Sequence, residues 1–121
     1  IEEDTLDWWA KQDPQVLDEA FSEDNRMPVR KAMRVLHRFC LGSTHYWGHG
    51  AQFDYGILEH VAQKLERGVP WRFYQVRDSR TLFDLADPER PDDLKHHALC
   101  DCLSQIIGVQ NIYRKLNVRD V

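Results

Sequence analysis

Apolar residues recur at helical spacing along much of this chain and gather into short aromatic runs at two places. After Pro28, the residues Val29, Ala32, Met33, Leu36, Phe39 and Cys40 stand three and four apart, and Gly42 stops the pattern. That spacing predicts one face of a helix. Phe53 to Arg67 and His97 to Leu116 predict two more; Gly68 and Pro70 end the first, and Gly108 alone interrupts the second. Upstream, Asp4 or Thr5 can cap a short helix through Trp8, Trp9 and Lys11, and Asp13-Pro14 reads as cap and first-turn proline for a helix to about Phe21. Ser79 to Ala86 adds another short helix. His45-Tyr46-Trp47 and Trp71 to Val76 are the two strand-like runs. Ser22 to Arg26 and Asp87 to Asp93 are polar loops, and the chain has no internal repeat.

Helix, strand, helix, strand, helix is the order of an α/β domain, with parallel strands under the crossover rule. Two short strands make a poor sheet by themselves, and helices with this many apolar faces need a broader one to cover. Further strands are therefore expected outside these residues. The chain also opens on Ile1 instead of a methionine, which predicts a processed or truncated product.

At 121 residues the chain fits one domain with one modest core. No apolar run approaches the roughly 20 residues that span a bilayer, and the acidic start Ile1-Glu2-Glu3-Asp4 lacks the basic region of a signal peptide. The odd set Cys40, Cys100 and Cys102 favours a reducing, cytoplasmic setting over a disulfide framework. A zinc site from His96, His97, Cys100 and Cys102 is disfavoured by the missing second ligand pair, and Cys102 is expected to pack as a small hydrophobe. A net charge of -4 argues against coating nucleic acid through bulk positive charge, but not against gripping a strand end. Arg26, Arg30, Arg34 and Arg38 form either a solvated face or a phosphate-contacting stripe.

Two segments carry the chemistry, and each delivers a carboxylate near the start of a helix. Asp54 shares its helix face with Ile57, Leu58, Val61 and Leu65. An ionised carboxylate on an apolar face is costly unless paired or metal-bound; otherwise Asp54 caps its own helix. Gly48, Gly50 and Ala51 leave the backbone open to a ligand, and Phe53 offers an apolar surface beside it. In the last helix Leu99, Cys102, Ile106, Val109, Tyr113 and Leu116 trace one apolar stripe, and Asp101 falls roughly 110° from its centre. A histidine just before that helix can swing alongside Asp101. Its neutral imidazole suits proton transfer from an attacking water; the alternative is that His96 and His97 only cap the helix.

Taken together, these residues resemble the DEDDh group of 3′-5′ exonucleases, which have a ribonuclease-H-like fold. His96-x-Ala98-x-x-Asp101 fits that group's third motif, and Gly50-Ala51-Gln52-Phe53-Asp54-x-x-x-Leu58 fits its second, with a glycine-histidine-glycine approach in place of the usual asparagine. Thr5-Leu6-Asp7-Trp8-Trp9, Pro70-Trp71-Arg72-Phe73-Tyr74 and Arg77-Asp78-Ser79-Arg80-Thr81-Leu82 look like the signatures of a subfamily that includes phage exonuclease A and bacterial 3′-5′ exoribonucleases. The resemblance covers nearly the whole chain.

It implies hydrolysis from the 3′ end of a single strand or 3′ overhang, releasing nucleoside monophosphates with two divalent ions, Mg²⁺ or Mn²⁺. Asp54 and Asp101 would be metal ligands and His96 the general base. Phe53 would stack on a terminal base. His49 is a further substrate-binding candidate, as are Arg77 and Arg80, which otherwise pair with Asp78 or Asp84. The group's first motif, D-x-E on an opening strand, has no counterpart before Thr5, and Glu2 and Asp4 precede a helix instead. Residues 1–121 are thus expected to be the carboxy-terminal part of a single exonuclease domain that lacks its amino-terminal antiparallel strands. The rival expectation is a non-catalytic nucleic-acid-binding or interaction module that keeps the fold. DNA against RNA is left open, as is oligomeric state, a homodimer included.

Overall fold

The computed structural model describes residues 2–24 and 26–118. It is a mixed α/β structure, mostly helical: α1 (Glu3–Trp9), α2 (Pro14–Phe21), α3 (Val29–Phe39), β1 (Tyr46–Gly48), α4 (Ala51–Lys64), β2 (Val76–Asp78), α5 (Ser79–Leu85) and α6 (Ala98–Lys115). Asp13 caps α2 as its position before Pro14 predicts, accepting the Gln15 N–H at 2.8 Å. In α1 the cap is Glu2, without a side-chain hydrogen bond, so Asp4 and Thr5 lie inside the helix.

β1 and β2 pair in parallel, Tyr46 with Val76, Trp47 with Arg77 and Gly48 with Asp78, and α4 is the crossover between them. The expected second strand is shifted. Phe73–Gln75 form a 3₁₀ turn in which Gln75 Oε1 accepts the Arg72 N–H at 2.9 Å, and strand pairing begins only at Val76. Phe73, 89% exposed, is an aromatic with no sheet face to cover. Trp71 is the buried anchor of this region: its ring lies 5.9 Å from Tyr46 and 4.8 Å from Tyr55, and its indole N–H donates to Glu59.

The stripe on α6 also differs from expectation. Gly108, Val109 and Ile112 are buried, whereas Leu99, Cys102, Ile106 and Leu116 are exposed. Phe39 and Leu41 are exposed too, so the apolar side of α6 and the end of α3 remain largely uncovered among the described residues, although Met33 and Cys40 are buried. Instead of interrupting α6, Gly108 is where α5 packs closest. A Cβ there would stand 2.8 Å from Cζ and 3.1 Å from Cε1 of Phe83. Gly108→Ala gains about 1 kcal/mol of helix propensity but forces the ring from its place, and overpacking costs typically about 1–3 kcal/mol. The expected result is a net loss of about 1 kcal/mol in urea unfolding, disappearing in a Phe83→Ala background. Among the described residues, no helix is long and apolar enough to cross a membrane.

Candidate active site

The two parallel strands end side by side, and each leads into a helix, β1 through the turn at His49 and Gly50 and β2 directly. One carboxylate joins the two junctions. Asp78, the last residue of β2, accepts the Gly50 N–H through Oδ1 at 3.1 Å and the Ala51 N–H through Oδ2 at 2.9 Å, so it caps α4 from 27 residues away. Its Oδ1 also accepts the Arg80 N–H at 2.9 Å, capping α5. Free N–H groups at a helix start need such an acceptor. Burial alone would raise the Asp78 pKa, but the three backbone donors outweigh it and hold the carboxyl below its ordinary value.

Beside it, Ser79 is buried and its Oγ donates to the Gly48 carbonyl at 3.1 Å. His49 Nδ1 lies 2.9 Å from the same Oγ, and Arg80 Nε donates to the His49 carbonyl at 3.3 Å. Gly48 leaves no room for a side chain, because a Cβ would stand 3.0 Å from both Ala51 Cα and Tyr55 Cε2. Gly50 holds φ +95°, the left-handed conformation that glycine adopts without strain. This glycine-histidine-glycine turn aims the first turn of α4, and with it Phe53 and Asp54, along the strand ends.

Asp54 does not cap α4: Gly50 occupies that position and Asp54 sits one turn inside. The structure brings it into an open cleft of about 1640 Å³, lined also by His49, Phe53, Arg80, Arg90, His96 and Asp101. Phe53 is 73% exposed, as a stacking surface must be. The Cys102 thiol, although its residue is exposed, is pushed up by desolvation and then by the charges of Asp101 and Asp54.

His96 and His97 have different tasks. His97 is the cap of α6, its Nδ1 accepting the Cys100 N–H at 3.4 Å. His96 precedes it at φ +64°, a conformation costing about 1 kcal/mol for a non-glycine residue. Its ring packs T-shaped against Trp8 with centroids 4.8 Å apart, and both residues line the cleft on the side of α1. Trp8 is thereby a wall of the cleft, 43% exposed.

Arg80 lines the cleft and makes no ion pair with Asp78 or Asp84. Arg77 does not join the group: its Nη1 donates to the Tyr74 and Val76 carbonyls at 2.6 and 3.0 Å, off the cleft. Arg90, by contrast, was missed. It comes from the loop after α5, lies 4.9 Å over the Phe83 ring and lines the cleft. Its signal was a lone pair of cation and glutamate in a loop otherwise rich in aspartate and proline. The capping role of Asp78 and the burial of Ser79 were also missed: Asp78 stood in the sequence reading as an ion-pair partner, and Ser79 as the start of a short helix.

Asp54 and Asp101 are hard oxygen donors of the kind Mg²⁺ and Mn²⁺ take. In number they fall short. Among the described residues, no group of three or more His, Cys, Asp or Glu side chains closes round a point where an ion could be held, zinc included. The described residues alone therefore do not fit a complete metal centre.

A family model for 3′-5′ exoribonuclease Rv2179c-like domains matches residues 1–113. No curated protein and no solved structure matches the chain. With the match covering nearly the whole length, the chain belongs to the Rv2179c-like 3′-5′ exoribonuclease domain family, a family of nucleases.

Proposed function

We propose that this domain hydrolyses single-stranded nucleic acid from its 3′ end by a DEDDh-type reaction on a ribonuclease-H-like fold, releasing nucleoside monophosphates. The observation that carries this is that Asp54, from the start of α4, Asp101, from the start of α6, and His96 line one cleft. His96 takes the proton of the attacking water, a task its imidazole suits near neutral pH. Phe53 stacks on the terminal base, and Arg80 and Arg90 face the phosphates. Asp54 and Asp101 would supply two of the ligands of a Mg²⁺ or Mn²⁺ centre, and a D-x-E segment would supply the others. Such ions would supply positive charge for the negative charge that develops on the phosphoryl oxygens.

The test is made on the whole protein with a single strand labelled at its 5′ end. Stepwise shortening in Mg²⁺ or Mn²⁺, abolished by EDTA and restored by adding the ion back, is the expected result. Shortening that persists in EDTA would remove the metal part of the proposal. Binding of the strand without any cleavage would favour the non-catalytic module.

A further inference from the structure

A count of protons around Ser79 decides which way His49 faces chemically. The Ser79 hydroxyl has one proton and lies 3.1 Å from the Gly48 carbonyl oxygen and 2.9 Å from His49 Nδ1. If that proton pointed to Nδ1, the hydroxyl and carbonyl oxygens would face each other with nothing between them. Both contacts are satisfied only when Ser79 donates to Gly48 and Nδ1–H donates to Ser79 Oγ. The other ring nitrogen, Nε2, has no hydrogen-bond partner among the described residues and is not sealed from solvent. The ring is braced by Phe83, 5.5 Å away, and lines the cleft. Burial first, then the charges of Arg80 and Arg90, hold the imidazole pKa below its ordinary value despite Asp78 and Asp101, which favours the neutral form.

A neutral ring with Nδ1–H leaves Nε2 as a bare acceptor. Phosphate oxygens carry no proton to give it. On a nucleotide the donors are sugar hydroxyls and base amines, and the amines change with sequence while Phe53 stacks on any base. The 3′-hydroxyl stands on every 3′ end, DNA and RNA alike, whereas the 2′-hydroxyl is the donor that a ribonucleotide adds and a deoxynucleotide lacks, and membership of an exoribonuclease family favours the second. Resting on the exonuclease reading above, we infer that His49 Nε2 accepts a hydrogen bond from the 2′-hydroxyl of the substrate's terminal nucleotide, making His49 the residue that selects RNA.

The experiment compares kcat/KM of the whole protein on two strands of one sequence, ending in a 2′-hydroxyl or a 2′-fluoro nucleotide. Fluorine keeps the size and polarity of the group and lacks the proton. A preference of about tenfold for the hydroxyl is expected, the worth of one net hydrogen bond. His49→Asn places an amide N–H where Nδ1–H was, preserving the bond to Ser79, but has nothing at Nε2; it should bring the ratio to about one. Equal rates on the two strands by the wild type, or an unchanged ratio in His49→Asn, would overturn the inference alone. Hydrolysis of neither strand by the wild type would overturn the proposed function and this inference with it.

Discussion

Asp101→Ala is expected to slow 3′-end hydrolysis by about a thousandfold, roughly 4 kcal/mol of transition-state stabilisation, while leaving the unfolding temperature of the protein within a degree or two of the wild type. The two halves of this expectation come from different facts. Asp101 lies in the first turn of α6, half-buried at the cleft, and its side chain makes no hydrogen bond or ion pair among the described residues. Its removal therefore orphans no buried donor, and the helix keeps its cap at His97. Its carboxylate instead spends its charge on the cleft, where it acts on His49 and Cys102. Asp101→Asn sharpens the test, since it keeps the shape and removes only the charge. Kinetics and thermal unfolding on the same preparation separate the outcomes. Full activity in either variant would end the assignment of Asp101, and a large fall in unfolding temperature would mark it as structural.

How far this was legible depends on the range of each interaction. Helix limits set by neighbours could be read: Asp13 caps α2 two residues on, and α3 runs from Val29 to Phe39 as the apolar spacing from Pro28 to Gly42 implies. Features set from a distance could not. The aromatic run Trp71 to Val76 has the side chains of a strand, but only Val76 to Asp78 find a partner in β1, and the preceding residues turn on the Gln75 side chain. The apolar face of α6 was visible, yet which residues it buries depends on where α5 meets Gly108. His96, Asp54 and Asp101 could be named as candidates from the motifs they resemble, and all three line the cleft. Asp78 was read as no more than an ion-pair partner, because the amides it binds lie at Gly50 and Ala51, remote in sequence.

That remote bond leads to the second large effect. Asp78→Ala is expected to destabilise the fold by about 2 kcal/mol, one cap of about 1 kcal/mol for each of α4 and α5. The same change frees the turn that aims Phe53 and Asp54, so hydrolysis should fall as well, although Asp78 touches no substrate. Charge is central to the bond, which gives the effect a pH signature. Burial works against the carboxylate, but its backbone donors prevail and its folded pKa lies below the ordinary value. A group depressed in this way contributes its full stabilisation above its unfolded pKa of about 3.9 and loses it as pH falls through the folded value. The gap between wild type and Asp78→Ala should therefore be widest near pH 7 and narrow below about pH 4. Asp78→Asn retains one carbonyl oxygen, enough for the Oδ1 contacts to Gly50 and Arg80 but not for Ala51, and should fall between the two at pH 7. Urea unfolding at pH 7 and pH 3 tests both parts. An Asp78→Ala midpoint equal to wild type at pH 7 would show that the clasp does not hold the fold. An undiminished gap at pH 3 would show that its strength does not come from the ionised carboxylate.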